Sequence, residues 1–219
     1  MPFSIHSIHG QIFKIWRKRR FKLFLECVKP SAADMLLDLG GDPGFWTSQP
    51  QFAKRIDTLN VHGFPWNAAD FPRHHIKILM GNGCSLTMLD QSYDIGFSNS
   101  VIEHVGSWEQ QQQFASEIRR VAKALWVQTP AYECPIEPHY MTPFIHYLPR
   151  SFQKKILRWA TLWGWLQRPT CTQINQMVET TRLLRKSEML KLFPDCKIMT
   201  ERLFWVVPKS YIAFREKHF

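Results

Sequence analysis

Five short apolar runs, Met35–Leu39, Ile56–Val61, Ile76–Met80, Tyr93–Phe97 and Ala124–Gln128, follow one another with turn or helix material between them. Each has strand length, and strands alternating with helices imply a mostly parallel sheet covered by helices, an α/β fold. Glu109–Lys123 is the clearest intervening helix, with Phe114, Ile118 and Val121 on one side. Strands near Lys197–Phe204 and Ser210–Phe214, behind a helix at Ser187–Phe193, bring the expected sheet to seven. Ahead of them all, residues 11–28 read as a helix with Ile12, Ile15, Trp16, Phe21, Phe24 and Leu25 at roughly helical spacing, ended by Pro30 and Ser31.

At 219 residues and 45% hydrophobic composition, the chain is expected to be a single domain over 1–219. The pattern breaks after Thr129. Pro130, Pro135, Pro138, Pro143 and Pro149 exclude regular structure there, and Phe152–Leu166 then reads as one amphipathic helix. Its apolar stripe is Phe152, Ile156, Trp159, Ala160 and Trp163, with Lys154, Lys155 and Arg158 away from it. Residues 130–180 are thus expected to be an insertion between the fifth strand and the last helix–strand unit.

The net charge is +10, and residues 1–30 hold much of it, with Lys14, Arg17, Lys18, Arg19, Arg20, Lys22 and Lys29 against Glu26 alone. Such a basic helical segment suits an anionic surface or a solvated face. Nine tryptophans exceed the needs of a core this size; Trp159, Trp163 and Trp165 beside basic residues fit either an interfacial helix or a packed lid. Five cysteines without a CxxC pair argue against a disulfide framework or zinc and for a reducing cytoplasm. Neither a membrane span nor a secretory h-region is legible, so the expectation is a cytoplasmic protein, peripheral at most at the inner membrane face.

The chemistry concentrates at strand ends. Leu36-Leu37-Asp38-Leu39-Gly40-Gly41-Asp42-Pro43-Gly44 is a buried strand running into a glycine turn, which lets backbone approach a ligand. Asn60 ends the second strand, where a polar side chain can hold ribose hydroxyls. Gly81-Asn82-Gly83 ends the third and Ser98-Asn99-Ser100 the fourth. In an open α/β sheet these ends meet in one crevice, the expected ligand site.

With LDLGGDPG (37–44), IDTLN (56–60), GNG (81–83), Tyr93-Asp94 and SNSVIEHV (98–105), the chain resembles the class I S-adenosylmethionine-dependent methyltransferases. QTP (128–130), IEPH (136–139) and HYLP (146–149) are similar to bacterial members associated with cell-surface polysaccharide or glycolipid synthesis. The resemblance implies a Rossmann-like fold and binding of S-adenosylmethionine or S-adenosylhomocysteine. It implies that Asp38 fixes the turn and the methionine end, and that Gly40, Gly41 and Gly44 give close approach. Asn60 would hold the ribose, Asn82, Gly83 and Cys84 border the adenine, and Ser98 and Asn99 line the methionyl side. The chain departs from the usual GxGxG turn by Asp42, and from the usual acidic residues by Asn60 and Asn82.

Glu103-His104 offers donors for a metal, but the Glu-x-x-Glu-His pattern of some related enzymes has Ser100 at its first position, so no metal is expected. A hydroxyl acceptor needs a base, and the candidates beyond the fifth strand are His139, Glu137 and His146. His139 is preferred because imidazole titrates near neutral pH and Glu137 stands close enough to orient it. The expected partner is a small-molecule or lipid-linked acceptor, with an anionic membrane surface as a second. Nucleic acid is disfavoured, since no NPPY-like tetrapeptide follows the fourth strand. The competing functions are a nucleic-acid-binding protein or RNA methyltransferase, and a non-catalytic relative that only binds the cosubstrate.

Overall fold

The computed structural model describes residues 5–66, 70–137 and 139–217, with side chains from Trp16 onward. Pro138 and the side chains of Ile12, Lys14 and Ile15 lie outside the described residues.

A helix α1 (Ile5–Val28) precedes strand β1 (Met35–Leu39), a short α2 (Gly44–Thr47), β2 (Arg55–Asn60), β3 (Ile76–Met80), β4 (Tyr93–Asn99), α3 (Trp108–Val121) and β5 (Ala122–Pro130). The order in the sheet is β3-β2-β1-β4-β5, all parallel, continued by β9 (Val207–Arg215) and β8 (Lys197–Leu203), each antiparallel to its inner neighbour. This is the expected mostly parallel seven-stranded sheet of a Rossmann-like methyltransferase fold.

Period-two alternation of large residues seals both faces. Leu36, Ile56, Ile95, Phe97, Ala124, Trp126 and Ile212 pack with Phe21, Phe24 and Val28 of α1 on one face. Leu37, Leu39, Leu59, Leu125, Val127 and Ala213 pack with Phe114, Ile118 and Val121 of α3 on the other. There Met189 and Leu192 of α7 (Lys186–Leu192) complete the layer.

Boundaries shift where packing overrides local pattern. The helix read as Glu109–Lys123 stops at Val121, because Ala122 and Lys123 already pair in β5, Ala122 beside Tyr93. Its start is set by Ser107 and Gln110, which cap each other reciprocally. Helix α1 ends at Val28, followed by Lys29 at φ 52° and Pro30.

The stretch after Thr129 is more regular than its prolines suggest. It contains a two-residue ladder of β6 (Ile136–Glu137) and β7 (Thr142–Pro143), then α4 (Arg150–Ala160), α5 (Leu162–Gln167) and α6 (Cys171–Thr180). Tyr140, Ile145, Leu157, Ile174 and Val178 form a small core of their own. The single helix expected over Phe152–Leu166 is broken at Thr161, whose hydroxyl donates to the Leu157 carbonyl at 2.5 Å and accepts from Gly164 N at 2.9 Å. Gly164 is needed there, since a Cβ would stand 2.2 Å from the Leu157 carbonyl oxygen. The buried stripe also differs from the expected one. Gln153 and Leu157 face inward, while Phe152 and Trp159 of the expected apolar stripe are exposed. No helix among the described residues is long and apolar enough to cross a membrane.

Candidate active site

All the strand-end residues lie along the carboxyl edge of the sheet. Gly40 has φ +77°, a conformation L side chains rarely adopt, and its N–H donates to the Leu59 carbonyl at 2.8 Å, tying the turn to β2. Asn60 strengthens that tie by donating from Nδ2 to the Gly41 carbonyl at 3.2 Å. Asp42 replaces the usual glycine and has work of its own: Oδ1 accepts from Gly44 N at 2.8 Å and Trp66 Nε1 at 3.1 Å.

Asp38 lies beneath the turn, fully buried. Its Oδ2 accepts from Trp46 Nε1 at 2.8 Å, and its Oδ1 has no partner. Burial pushes the carboxyl up to about 7, against the pull of the indole hydrogen bond. A Cβ at Gly41 would meet that carboxylate at 2.0 Å, so the absence of a side chain is sterically required.

On β4, buried Ser98 donates to the Leu39 carbonyl at 3.0 Å, joining the ends of the two central strands. In the third turn Asn82 Oδ1 accepts from Cys84 N at 2.9 Å, Gly83 lies under Phe114, and the Cys84 thiol donates to the Gln110 carbonyl at 3.3 Å. Burial raises the Cys84 thiol, so it is held protonated.

Asn99 has a partner that local pattern did not disclose. Arg20, counted above with the basic surface, is largely buried and donates to Asn99 Oδ1 at 3.0 Å and Gln128 Oε1 at 2.8 Å. It also pairs with Glu201 at 2.9 Å. Helix α1 therefore reaches the carboxyl edge beside β4 and β5.

Three residues past Asn99, a short 3-10 helix (Ile102–His104) begins and presents Glu103 and His104. Glu103 is completely buried; its Oε2 accepts from Thr129 Oγ1 at 2.9 Å, and its Oε1 has no partner. Burial pushes this carboxyl up to about 7, partly offset by the charge of His139. Across from it the insertion brings His139, whose ring stands edge-on to His104 at 4.6 Å. His139 Nδ1 lies 2.5 Å from Glu137 Oε1, and the other Glu137 oxygen accepts from Tyr140 N at 2.7 Å. With Nδ1–H donated to the carboxylate, Nε2 carries the lone pair of the neutral ring.

Burial alone would lower His139, but the Glu137 hydrogen bond, the Glu137 charge and that of Glu103 together raise it. Desolvation and the charge of His139 hold His104 down at about 4. Ligand atoms of Glu103, His104 and His139 lie within 4.8 Å of one another, so these residues have the donor set for a divalent cation. The chain spacing around Ser100 gave no hint of this, because the third donor arrives from the insertion.

His146 does not join them. Its Nε2 is engaged with the Tyr132 carbonyl at 3.0 Å, and burial lowers its pKa. It lines instead a cavity of about 270 Å³ behind Glu137, shared with Tyr132, Arg150, Arg182 and Arg185. Thr181 links the cavity to the histidine pair, 3.4 Å from His104 Nδ1. Arg182 straps the short helix by donating from its backbone N to the Glu103 carbonyl at 2.7 Å. Arg20, Thr129, Arg182 and Arg185 were all missed by the sequence reading, and of these only Thr129, inside QTP, carried a local signal.

Residues 58–124, from β2 into β5, match the methyltransferase domain family. No curated protein matches the chain. Among solved structures it is similar to an S-adenosylmethionine-dependent methyltransferase from Methanosarcina mazei (13% identity, 85% of this chain and 93% of that one, TM-score 0.50). It is also similar to a small RNA methyltransferase (19% identity, 93% of this chain and 25% of that one, TM-score 0.56). A third similar structure is the geranyl diphosphate C-methyltransferase of Streptomyces coelicolor A3(2), in complex with S-adenosylhomocysteine and Mg²⁺ (14% identity, 84% and 59%, TM-score 0.51). The chain thus carries a methyltransferase-domain match across its central strands, residues 58–124, and shares the class I methyltransferase fold with these structures.

Proposed function

We propose that the protein transfers the methyl group of S-adenosylmethionine to a hydroxyl of a small-molecule, glycan or lipid-linked acceptor, in the cytoplasm or at the inner face of its membrane. The observation that carries this reading is the Glu137–His139 contact of 2.5 Å, an imidazole already held by a carboxylate beside His104. The acceptor oxygen attacks the methyl carbon as the carbon–sulfur bond breaks. The sulfonium becomes a neutral thioether, and the acceptor proton passes to His139 Nε2. Glu137 fixes the tautomer and favours the imidazolium that forms. Residues 130–180 serve as the lid that aligns the acceptor and excludes water.

The cosubstrate's methionine end is assigned to Asp38, Ser98 and Asn99, its ribose to Asn60, and its adenine to Asn82, Gly83 and Cys84, with Gly40, Gly41 and Gly44 giving backbone access. The cavity behind Glu137 is assigned to the acceptor. Arg185 lies 4.0 Å over the Tyr132 ring there and Arg150 is exposed, which favours an acceptor with a negative group.

A second reading is favoured by buried Glu103, whose Oε1 has no partner and whose carboxylate lies within 4.8 Å of ligand atoms of His104 and His139. In it Glu103, His104 and His139 hold a divalent cation that would acidify the acceptor hydroxyl, and Glu137 orients His139 from behind.

The test is methyl transfer from labelled cosubstrate across glycan, lipid-linked and carboxylic acceptors, with and without a chelator. Transfer to a hydroxyl that survives chelation supports His139 as base; loss in chelator restored by a divalent ion supports the metal. Calorimetric binding of S-adenosylhomocysteine without any turnover would leave a non-catalytic binder, and labelled RNA as the preferred product would refute the acceptor class.

A further inference from the structure

The turn between β8 and β9 displays Phe204, Trp205 and Val206 at 82%, 90% and 73% exposure. Phe204 and Trp205 both have left-handed backbone, φ 49° and 67°, where glycine or asparagine is the easy choice. Two bulky aromatic residues therefore occupy strained positions, and neither ring is buried to offset the strain.

The sheet register fixes where this tip points. β9 runs antiparallel to β5 with Ser210 beside Pro130, so the turn projects past the carboxyl edge, the edge of the candidate active site. Helix α1 projects past the same edge. Lys29, just beyond its end, pairs with Glu216 at the opposite edge, while Arg20 bonds Asn99 and Gln128 at this one. One turn earlier, Trp16 receives Lys209 Nζ 3.4 Å from its ring centroid, joining α1 to the base of the hairpin. Arg17, Lys18 and Arg19 are exposed alongside. The insertion leaves from this edge too, and on it Trp159 and Trp165 are 70% and 66% exposed, with Lys155 and Arg158 exposed beside them.

We infer that the active-site edge docks on an anionic lipid bilayer, with the Phe204-Trp205-Val206 tip inserted at the interface and the basic face of α1 against the headgroups. Charge complementarity selects this occupant: aromatic tips rimmed by cations on a chain of net charge +10 suit an apolar interior beneath a negative surface. The consequence is that the acceptor would be met at the membrane surface, with the crevice facing it. Docking does not depend on which base or metal performs the transfer, so its failure and the failure of the proposed chemistry are read separately.

The experiment is co-sedimentation of the full chain with vesicles of phosphatidylcholine alone and with phosphatidylglycerol, with S-adenosylhomocysteine affinity measured in parallel. Binding is expected only to the anionic vesicles and should weaken with added salt. The F204S/W205S variant should bind them about tenfold or more weakly, and Arg17→Glu with Arg19→Glu should do likewise, both with cosubstrate affinity unchanged. Equal binding to neutral vesicles, or a hairpin variant that sediments like wild type, would overturn the inference. So would RNA that displaces the protein from vesicles, which would mark a nucleic-acid surface. A dimer lost in F204S/W205S without any vesicle binding would show that a second copy covers the tip.

Discussion

The two sides of the crevice are built on different principles. On the sheet side, each candidate residue sits at the end of a strand and is placed by register: Asp38 beside Thr58 and Phe97, Asn60 beside Met80, Asn99 beside Gln128. On the insertion side, Glu137 and His139 come from a two-residue ladder and the turn after it, supported by a core of only a few side chains. The sheet side is fixed by continuous pairing of parallel strands, which suits an invariant cosubstrate. The insertion side is made of side chains on short elements, which suits an acceptor that differs from one methyltransferase to another.

If that division is real, damage to the two sides should separate cleanly. The largest effect belongs to the insertion: His139→Ala should lower the methylation rate by ~10²–10⁴-fold while S-adenosylmethionine affinity stays near wild type. Steady-state kinetics with parallel calorimetry checks it, and a variant that loses cosubstrate binding instead would merge the two sides. Glu137→Gln adds a sharper readout. Glu137 raises the His139 pKa, and the neutral ring is the active form, so removing the carboxylate should move the acid limb of the pH–rate profile to lower pH.

Next comes stability. Leu157 is fully buried in the insertion's own core, and Leu157→Ala should cost about 2–5 kcal/mol. Urea unfolding should show that loss in the insertion, with cosubstrate affinity retained; a matching loss of affinity would mean that both sides share one cooperative core.

Asp38→Ala removes the acceptor of a buried indole N–H, a penalty of about 1–3 kcal/mol, and should weaken cosubstrate binding while sparing the acceptor's KM. Asp38→Asn tests the same carboxyl through pH. Its folded pKa of about 7 exceeds the unfolded value near 3.8, so the folded state holds the extra proton. Its contribution to stability is thus present at low pH and is lost as pH rises through that window. The asparagine variant should flatten this fall, and an unchanged pH–stability curve would show that Asp38 is not strained by burial. The smallest effect is expected at exposed Trp159, where Trp159→Ser should change stability by no more than about 0.5 kcal/mol.

The legibility of the two sides differed in the same way. β1 and β3 were read to the residue, because each is a short, mostly apolar run bounded by turn residues, β1 buried within the sheet and β3 at its edge. The turn Gly40-Gly41 was legible because its conformation restricts residue type, and Asn60 because strand ends in a parallel sheet converge. In the insertion, alternation of apolar residues misled. Phe152 and Trp159 fit a buried stripe but face outward, since α4 packs through Gln153 and Leu157 instead. Proline density correctly marked irregularity yet hid the ladder that carries Glu137.

The sequence by itself determined the α/β order, the seven strands and the glycine turn, since each rests on contacts within a strand or between chain neighbours. Glu137 and His139, two residues apart, were also local enough to pair on paper. Only the tertiary structure decided that His139 meets Glu103 and His104, that Arg20 leaves the basic surface to hold Asn99, and that Phe204 and Trp205 stand at the active-site edge. Those are meetings between segments tens of residues apart. No local propensity encodes them; they follow from how the strands order themselves and how each helix covers its apolar face.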